Sequence, residues 1–145
     1  MPVRTTFSFE KLSRLQNAIL ADGLNDIAGS IVNGIQAGIA AEKDIDNTSF
    51  RPLKPATIRR KKGPGILFET GRMARGTFVA KRASAGNLKA IVRPPLDRQA
   101  IGGFHNEGAG NLPRREWFGV PKRSDATIDR LIKHTAKKIV SAVHK

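Results

Sequence analysis

Leu24, Ile27, Ile31, Ile35 and Ile39 recur at steps of three and four along the first third of the chain. That spacing places all five on one face of a helix running to about residue 41, with Asn25, Asn33, Gln36 and Glu42 elsewhere on the wheel. Upstream, Leu12, Leu15 and Ile19 keep the same period behind Ser8, a candidate N-cap. Gly23 between the two runs predicts a bend or a break. Gly29, Gly34 and Gly38 each cost a helix up to ~1 kcal/mol against alanine, which points either to close packing against another element or to a weak helix. The period then changes. Residues 76–83 and 88–93 alternate as two strands around the turn Ser84-Ala85-Gly86-Asn87, an antiparallel hairpin. Residues 98–121 are rich in glycine, proline and asparagine and read as loop, with a short strand at 115–119. Last, Ile128, Leu131, Ile132, Thr135, Ala136, Ile139, Val140 and Val143 form a continuous apolar helical face behind Ser124, a second candidate cap. Asp129 and Lys133 form an i,i+4 pair on its outer side.

The predicted class is α+β: N-terminal helices, a small antiparallel sheet built on the hairpin, and a C-terminal amphipathic helix. A length of 145 residues suits one domain. Its parts are a helical region 8–42, a basic motif segment 50–75, sheet and loops 76–119, and the C-terminal helix 124–144. Within the basic segment, Pro55 suits the first position of a short helix running to about Lys61. Gly63-Pro64-Gly65 ends that helix in a loop tip, and Thr70 caps another short turn carrying Arg72 and Arg75.

Charge changes the picture. Residues 1–50 carry four Lys/Arg against six Asp/Glu, residues 51–100 carry thirteen against two, and residues 101–145 carry nine against four. The net +14 therefore begins at the basic segment, where Arg59, Arg60, Lys61 and Lys62 are consecutive. With Arg72 and Arg75 they form a candidate patch facing DNA or a protein partner. Six phosphate contacts would make affinity fall by ~10³ between 50 and 200 mM salt. Tyrosine is absent and no aromatic lies within the run Arg59–Lys62, so base stacking and sequence readout are not expected.

Candidate catalysis is thin. Without cysteine there is no disulfide framework and no thiolate chemistry. His105-Asn106-Glu107 holds a candidate ligand or general base for a hydrolase or nuclease, but one His and one Glu fall short of a metal or acid–base constellation. The Walker spacing is absent around Gly63-Pro64-Gly65. No catalytic residue, metal or cofactor is expected. The N-terminus lacks the apolar run of a secretory signal, and no stretch approaches a membrane span, so a soluble protein made in the cytoplasm is expected.

Two groups of residues, taken together, resemble the phage virion morphogenesis family of tail-completion and head–tail joining proteins. The first is Phe50, Pro52, Leu53, Thr57, Lys61, Ile66, Leu67, Thr70, Gly71 and Met73; the second is Phe104, His105, Asn106, Gly108, Pro113, Arg114, Arg115, Trp117, Phe118 and Gly119. The likeness spans roughly residues 10–145. It departs from the family pattern at Phe50, where a tryptophan is usual, and in Arg114–Gly119, which lacks a proline between arginine and aromatic. The resemblance implies a non-enzymatic virion protein at the neck or tail end. It would assemble as a ring with itself and meet head-connector and tail-tube proteins, with packaged DNA passing through by backbone contact at most. Phe104, His105, Arg114, Arg115, Trp117 and Phe118 are then candidate subunit-interface residues; for Trp117 and Phe118 a place in the core is the equal alternative. A nucleic-acid-binding protein without sequence specificity is the competing reading.

Overall fold

A computed structural model describes residues 9–62 and 65–144. Ser8, the loop tip at Gly63-Pro64 and Lys145 lie outside the described residues. The order is α1 (Phe9–Ala40), α2 (Pro55–Arg60), α3 (Arg72–Arg75), β1 (Phe78–Lys81), β2 (Ile91–Arg93), α4 (Gln99–Glu107) and α5 (Asp125–Val143). Single 3₁₀ turns at Leu96–Arg98 and Lys122–Ser124 precede α4 and α5. The fold is mixed helix and sheet, with one two-stranded antiparallel sheet.

The break expected at Gly23 is absent: α1 is one helix of 32 residues, about 48 Å long. Its glycines serve approach. A Cβ on Gly23 would lie 2.4 Å from Thr135 Oγ1 of α5, one on Gly34 would lie 2.2 Å from Ser124 Oγ, and one on Gly38 would lie 2.3 Å from the Arg123 guanidinium. Gly29 faces open space. Three of the four glycines thus form a shallow edge along which the segment 121–124 and α5 lie on α1.

Ser124 holds the N-cap position of α5, but its side chain does not cap the helix. It is buried, and its hydroxyl donates to Ser30 O of α1 at 3.2 Å. The neighbouring Arg123 ties down the end of α1: Nη1 donates to Gly34 O at 2.8 Å, Nε donates to Asn47 Oδ1 at 3.0 Å, and Nη2 donates to Asp44 O. A cation at a helix C-terminus also suits the helix dipole.

The main core gathers Ile35, Ile39, Phe50, Ile66, Met73, Ala74 and Trp117, with Ile31, Leu53, Leu67, Val92 and Phe118 packed against it. The apolar face of α5 is only partly used. Ile128, Leu131, Thr135 and Ile139 are half-buried, whereas Ile132, Val140 and Val143 are 52%, 56% and 44% exposed. Asp129 and Lys133 do not close the expected ion pair; among the described residues the pairs are made by other groups.

The hairpin forms, with Phe78 opposite Arg93, Val79 opposite Val92 and Lys81 opposite Ile91, and an irregularity between Val79 and Lys81. Its strands are shorter than expected because side chains take the flanking backbone groups. Asn25, placed by its spacing on the polar side of α1, is buried instead: its Nδ2 donates to Ala83 O at 3.0 Å and its Oδ1 accepts from Ala83 N at 2.7 Å. Gln36 reaches Thr77 O at 3.4 Å, while the buried Thr77 hydroxyl donates to Met73 O at 2.9 Å. α4 replaces the loop expected after residue 98, and no strand forms at 115–119. There the backbone bonds elsewhere: Arg115 N to His105 O, Phe118 N to Asn106 Oδ1, and Ile45 N to Glu116 O.

Replacing Arg123 with alanine removes charge-assisted bonds to Gly34 O of α1 and to Asp44 and Asn47 in the turn after it, each worth ~1.5–3 kcal/mol. A loss of about 2 kcal/mol corresponds to a fall in Tm of roughly 4–8 °C for a chain of this size. Thermal unfolding of Arg123→Ala beside the exposed control Arg130→Ala measures it.

Candidate partner-binding surface and basic cavity

The basic segment and the second motif are separate in sequence and meet in space. Phe50 enters the core, α2 starts at Pro55, and the chain returns to place Ile66 and Met73 beside Phe50. Lys61, expected to face a partner, is spent on this return. Its Nζ donates to Phe68 O at 2.6 Å and to Gly65 O, while Ile66 N donates to Glu42 Oε1 at 2.7 Å. A lysine has three donors and no acceptor, so it can hold two carbonyls of one loop at once.

Arg75 is also engaged locally. Its Nη2 donates to Thr70 O at 2.9 Å and its guanidinium lies 5.6 Å from the Phe68 ring centre, a cation–π arrangement. Arg72 pairs with Asp97 at 2.7 Å, both partners well exposed, a pair worth at most ~1 kcal/mol. Thr70 accepts from Arg72 N at 3.4 Å, one residue earlier than a cap would stand, because Gly71 takes the N-cap position with φ 74°. Arg59, Arg60 and Lys62 are exposed, and no side chain among the described residues pairs with them. The six expected cations therefore divide into three that hold or brace the segment and three that point outward.

The second motif divides too. Trp117 is 2% exposed and belongs to the core, so it is no surface anchor of the monomer. Its Nε1 donates to Gly102 O at 2.9 Å, and a Cβ on Gly102 would stand 2.6 Å from the indole and 3.5 Å from Met73 Sδ. The indole thus needs the glycine. Phe118 packs half-buried on Trp117, ring centres 5.3 Å apart, edge to face. Arg115 is 4% exposed and crosses to the first motif, donating from Nε and Nη2 to Arg51 O at 3.1 and 2.9 Å. Arg114 pairs with Glu116 at the surface. Phe104 is exposed, and His105 is half-buried.

Between the two motifs lies a cavity of about 970 Å³. Its buried lining includes Ile66, Met73 and Arg115; its exposed rim carries Arg51, Lys54, Arg60 and Arg72. Glu69 is the one carboxylate in the lining. Burial pushes the Arg115 guanidinium pKa down, and Arg51 beside it pushes further. Burial also holds His105 below its ordinary 6.5, with Arg115 adding to the effect. His105 Nδ1 and Arg98 Nε are buried without a hydrogen-bond partner, the latter 3.6 Å from Asp97.

His105 and Glu107 are two positions apart on α4, a separation that does not place side chains on one helix face. Among the described residues, no group of three or more His, Asp or Glu is placed to hold a metal ion, and no helix is long and apolar enough to cross a membrane. Sequence reasoning missed the part played by Arg51 and Arg98 at the cavity, for which the sequence holds no local signal. Gly102 left one: a glycine within an apolar step three residues before His105. Comparison of the chain with protein-family models, with curated proteins and with solved structures finds no match.

Two outcomes follow from this geometry. Because the folded pKa of His105 lies below the unfolded one, the unfolded chain takes up that proton first. Its contribution to stability is whole above pH about 6.5 and falls as pH drops from there toward the folded value. Denaturant melts across roughly pH 4.5–8, which brackets the usual histidine range, should show that slope, and His105→Leu should flatten it. Gly102→Val overpacks the indole and should cost ~1–3 kcal/mol, visible in the same melts and in a shifted Trp117 emission.

Proposed function

We propose that the chain is a structural virion subunit that completes the tail or joins head and tail, assembling as a ring at the neck or tail end. The resemblance of its two motif segments to tail-completion proteins supports this reading. The observation that carries it structurally is a pair of separate apolar surfaces left uncovered by one subunit. One is the stripe Ile132, Val140 and Val143 on α5; the other is Ile101 and Phe104 on α4 with Leu96 before it, 43%, 53% and 68% exposed. A ring closes by a head-to-tail interface, which requires two different patches on each subunit. Its neighbours in the particle are then the head connector and the tail tube. Arg59, Arg60 and Lys62 are the cations left to face the DNA path.

Those three cations also favour the second reading, a nucleic-acid-binding protein without sequence specificity. A salt titration on duplex DNA separates the two. Tight binding by the monomer with a steep salt slope belongs to the second reading, while weak binding by a monomer that assembles belongs to the first.

The expected result is a ring in negative-stain images and a multiple of the subunit mass in light scattering. Ile132→Asp with Val140→Asp should return it to monomer with little change in Tm, because both side chains are exposed. The protein should also appear in purified particles by mass spectrometry. A chain that stays monomeric at every concentration and is missing from particles overturns the reading.

A further inference from the structure

Arg115 carries a charge that its own chain does not neutralise. Its Nε and Nη2 are bound to a neutral carbonyl, Arg51 O, and no carboxylate among the described residues lies within ion-pair distance of it. Arg51, Lys54 and Arg60 add further positive charge around the cavity. Glu69, on the exposed rim, is the one carboxylate of the lining and makes no ion pair with Arg115, while Asp97, outside the lining, is shared between Arg72 and Arg98. A buried charge without a counter-ion is costly, and guanidinium groups match carboxylate and phosphate oxygens in pairs. Two lining residues also carry buried nitrogens without a hydrogen-bond partner, His105 Nδ1 and Arg98 Nε, the latter only 3.6 Å from Asp97.

The shape of the cavity selects among anions. A free inorganic ion fills little of about 970 Å³. Duplex DNA presents phosphates on a convex polar surface; it reaches the rim but leaves Ile66, Met73 and the buried Arg115 behind it unfilled. A peptide carries carboxylates and apolar side chains on one flexible strand, and its dimensions suit a recess of this volume. We propose that the cavity receives an acidic segment of a partner protein, its Asp or Glu carboxylates on Arg115, Arg51 and Arg60 and an apolar side chain against Ile66 and Met73. The source of that segment, a neighbouring subunit of an assembly, rests on the reading above; the complementarity of the cavity does not.

The test uses the full chain and needs no particle. An array of dodecapeptides built from Glu, Asp, Leu, Phe and Ser is probed beside a matched array with Gln and Asn in place of the acids. The strongest peptides are then measured by fluorescence anisotropy, with a labelled 20-base-pair duplex in parallel. Acidic peptides should bind at least tenfold more tightly than their amide counterparts. Arg60→Glu, at the exposed rim, should weaken them at least tenfold, and Arg115→Gln, checked for a retained melt, should do the same. Arg130→Glu, on α5 outside the cavity, should leave binding unchanged. The proposal is overturned if acidic and amide peptides bind alike or not at all. It is equally overturned if Arg130→Glu weakens binding as much as Arg60→Glu, or if the duplex binds in preference to every peptide. None of these outcomes depends on whether the chain forms rings.

Discussion

The fit of Trp117 against α4 is the contact on which the arrangement of the two motifs depends. The indole can lie there only because Gly102 has no side chain, and its Nε1 finds the Gly102 carbonyl. This satisfies the one polar atom of the largest core residue, which otherwise would be buried at a cost. Once Trp117 is seated, Met73 closes on it from the first motif, and Arg115, two positions earlier in the chain, is aimed at Arg51 O. A segment lacking regular structure is thereby fixed as firmly as a strand. The basic cavity is the space left between the two segments that this contact holds together.

The helical layer follows a different logic. α1 presents Gly23, Gly34 and Gly38 to α5 and to the segment before it, so the elements approach closely there and Arg123 adds hydrogen bonds to the half-burial of Ile128, Leu131 and Ile139. Nothing on α5 is fully buried. A helix held this way keeps much of its apolar face available, which suits a subunit that completes its burial in an assembly. The core proper is small and lies between the C-terminal part of α1 and the two motifs.

The amphipathic period of α1 and α5 and the alternation of the hairpin could be read from the sequence because each is a local, repeated signal. Pro55 at the start of α2 was readable for the same reason. What stayed hidden depends on partners distant along the chain. Gly23 looks like a helix breaker until Thr135 is seen beside it, and Ser124 looks like a cap until Ser30 O is seen to accept its proton. α4 was obscured by the paired glycines 102 and 103, one of which exists to admit Trp117. The basic patch was misread in part because charge counts alone do not show where a side chain's donors go: Lys61 ends on loop carbonyls and Arg75 on Thr70. In the second motif, Trp117, for which core and interface were equal readings, takes the core, and Arg115, a candidate interface residue, is 4% exposed.

The bond between Asn25 and Ala83 has a chemical corollary. Asn25 both accepts from Ala83 N–H and donates to Ala83 C=O, so its amide behaves as one more rung of the hairpin, supplied by a helix. Aspartate has the same shape but no donor in its ionised form, and would bring an oxygen up to the Ala83 carbonyl. An aspartate at this position would therefore convert an attachment into a repulsion. The hold of α1 on the hairpin thus depends on a side chain that both donates and accepts, a pairing a carboxylate cannot reproduce.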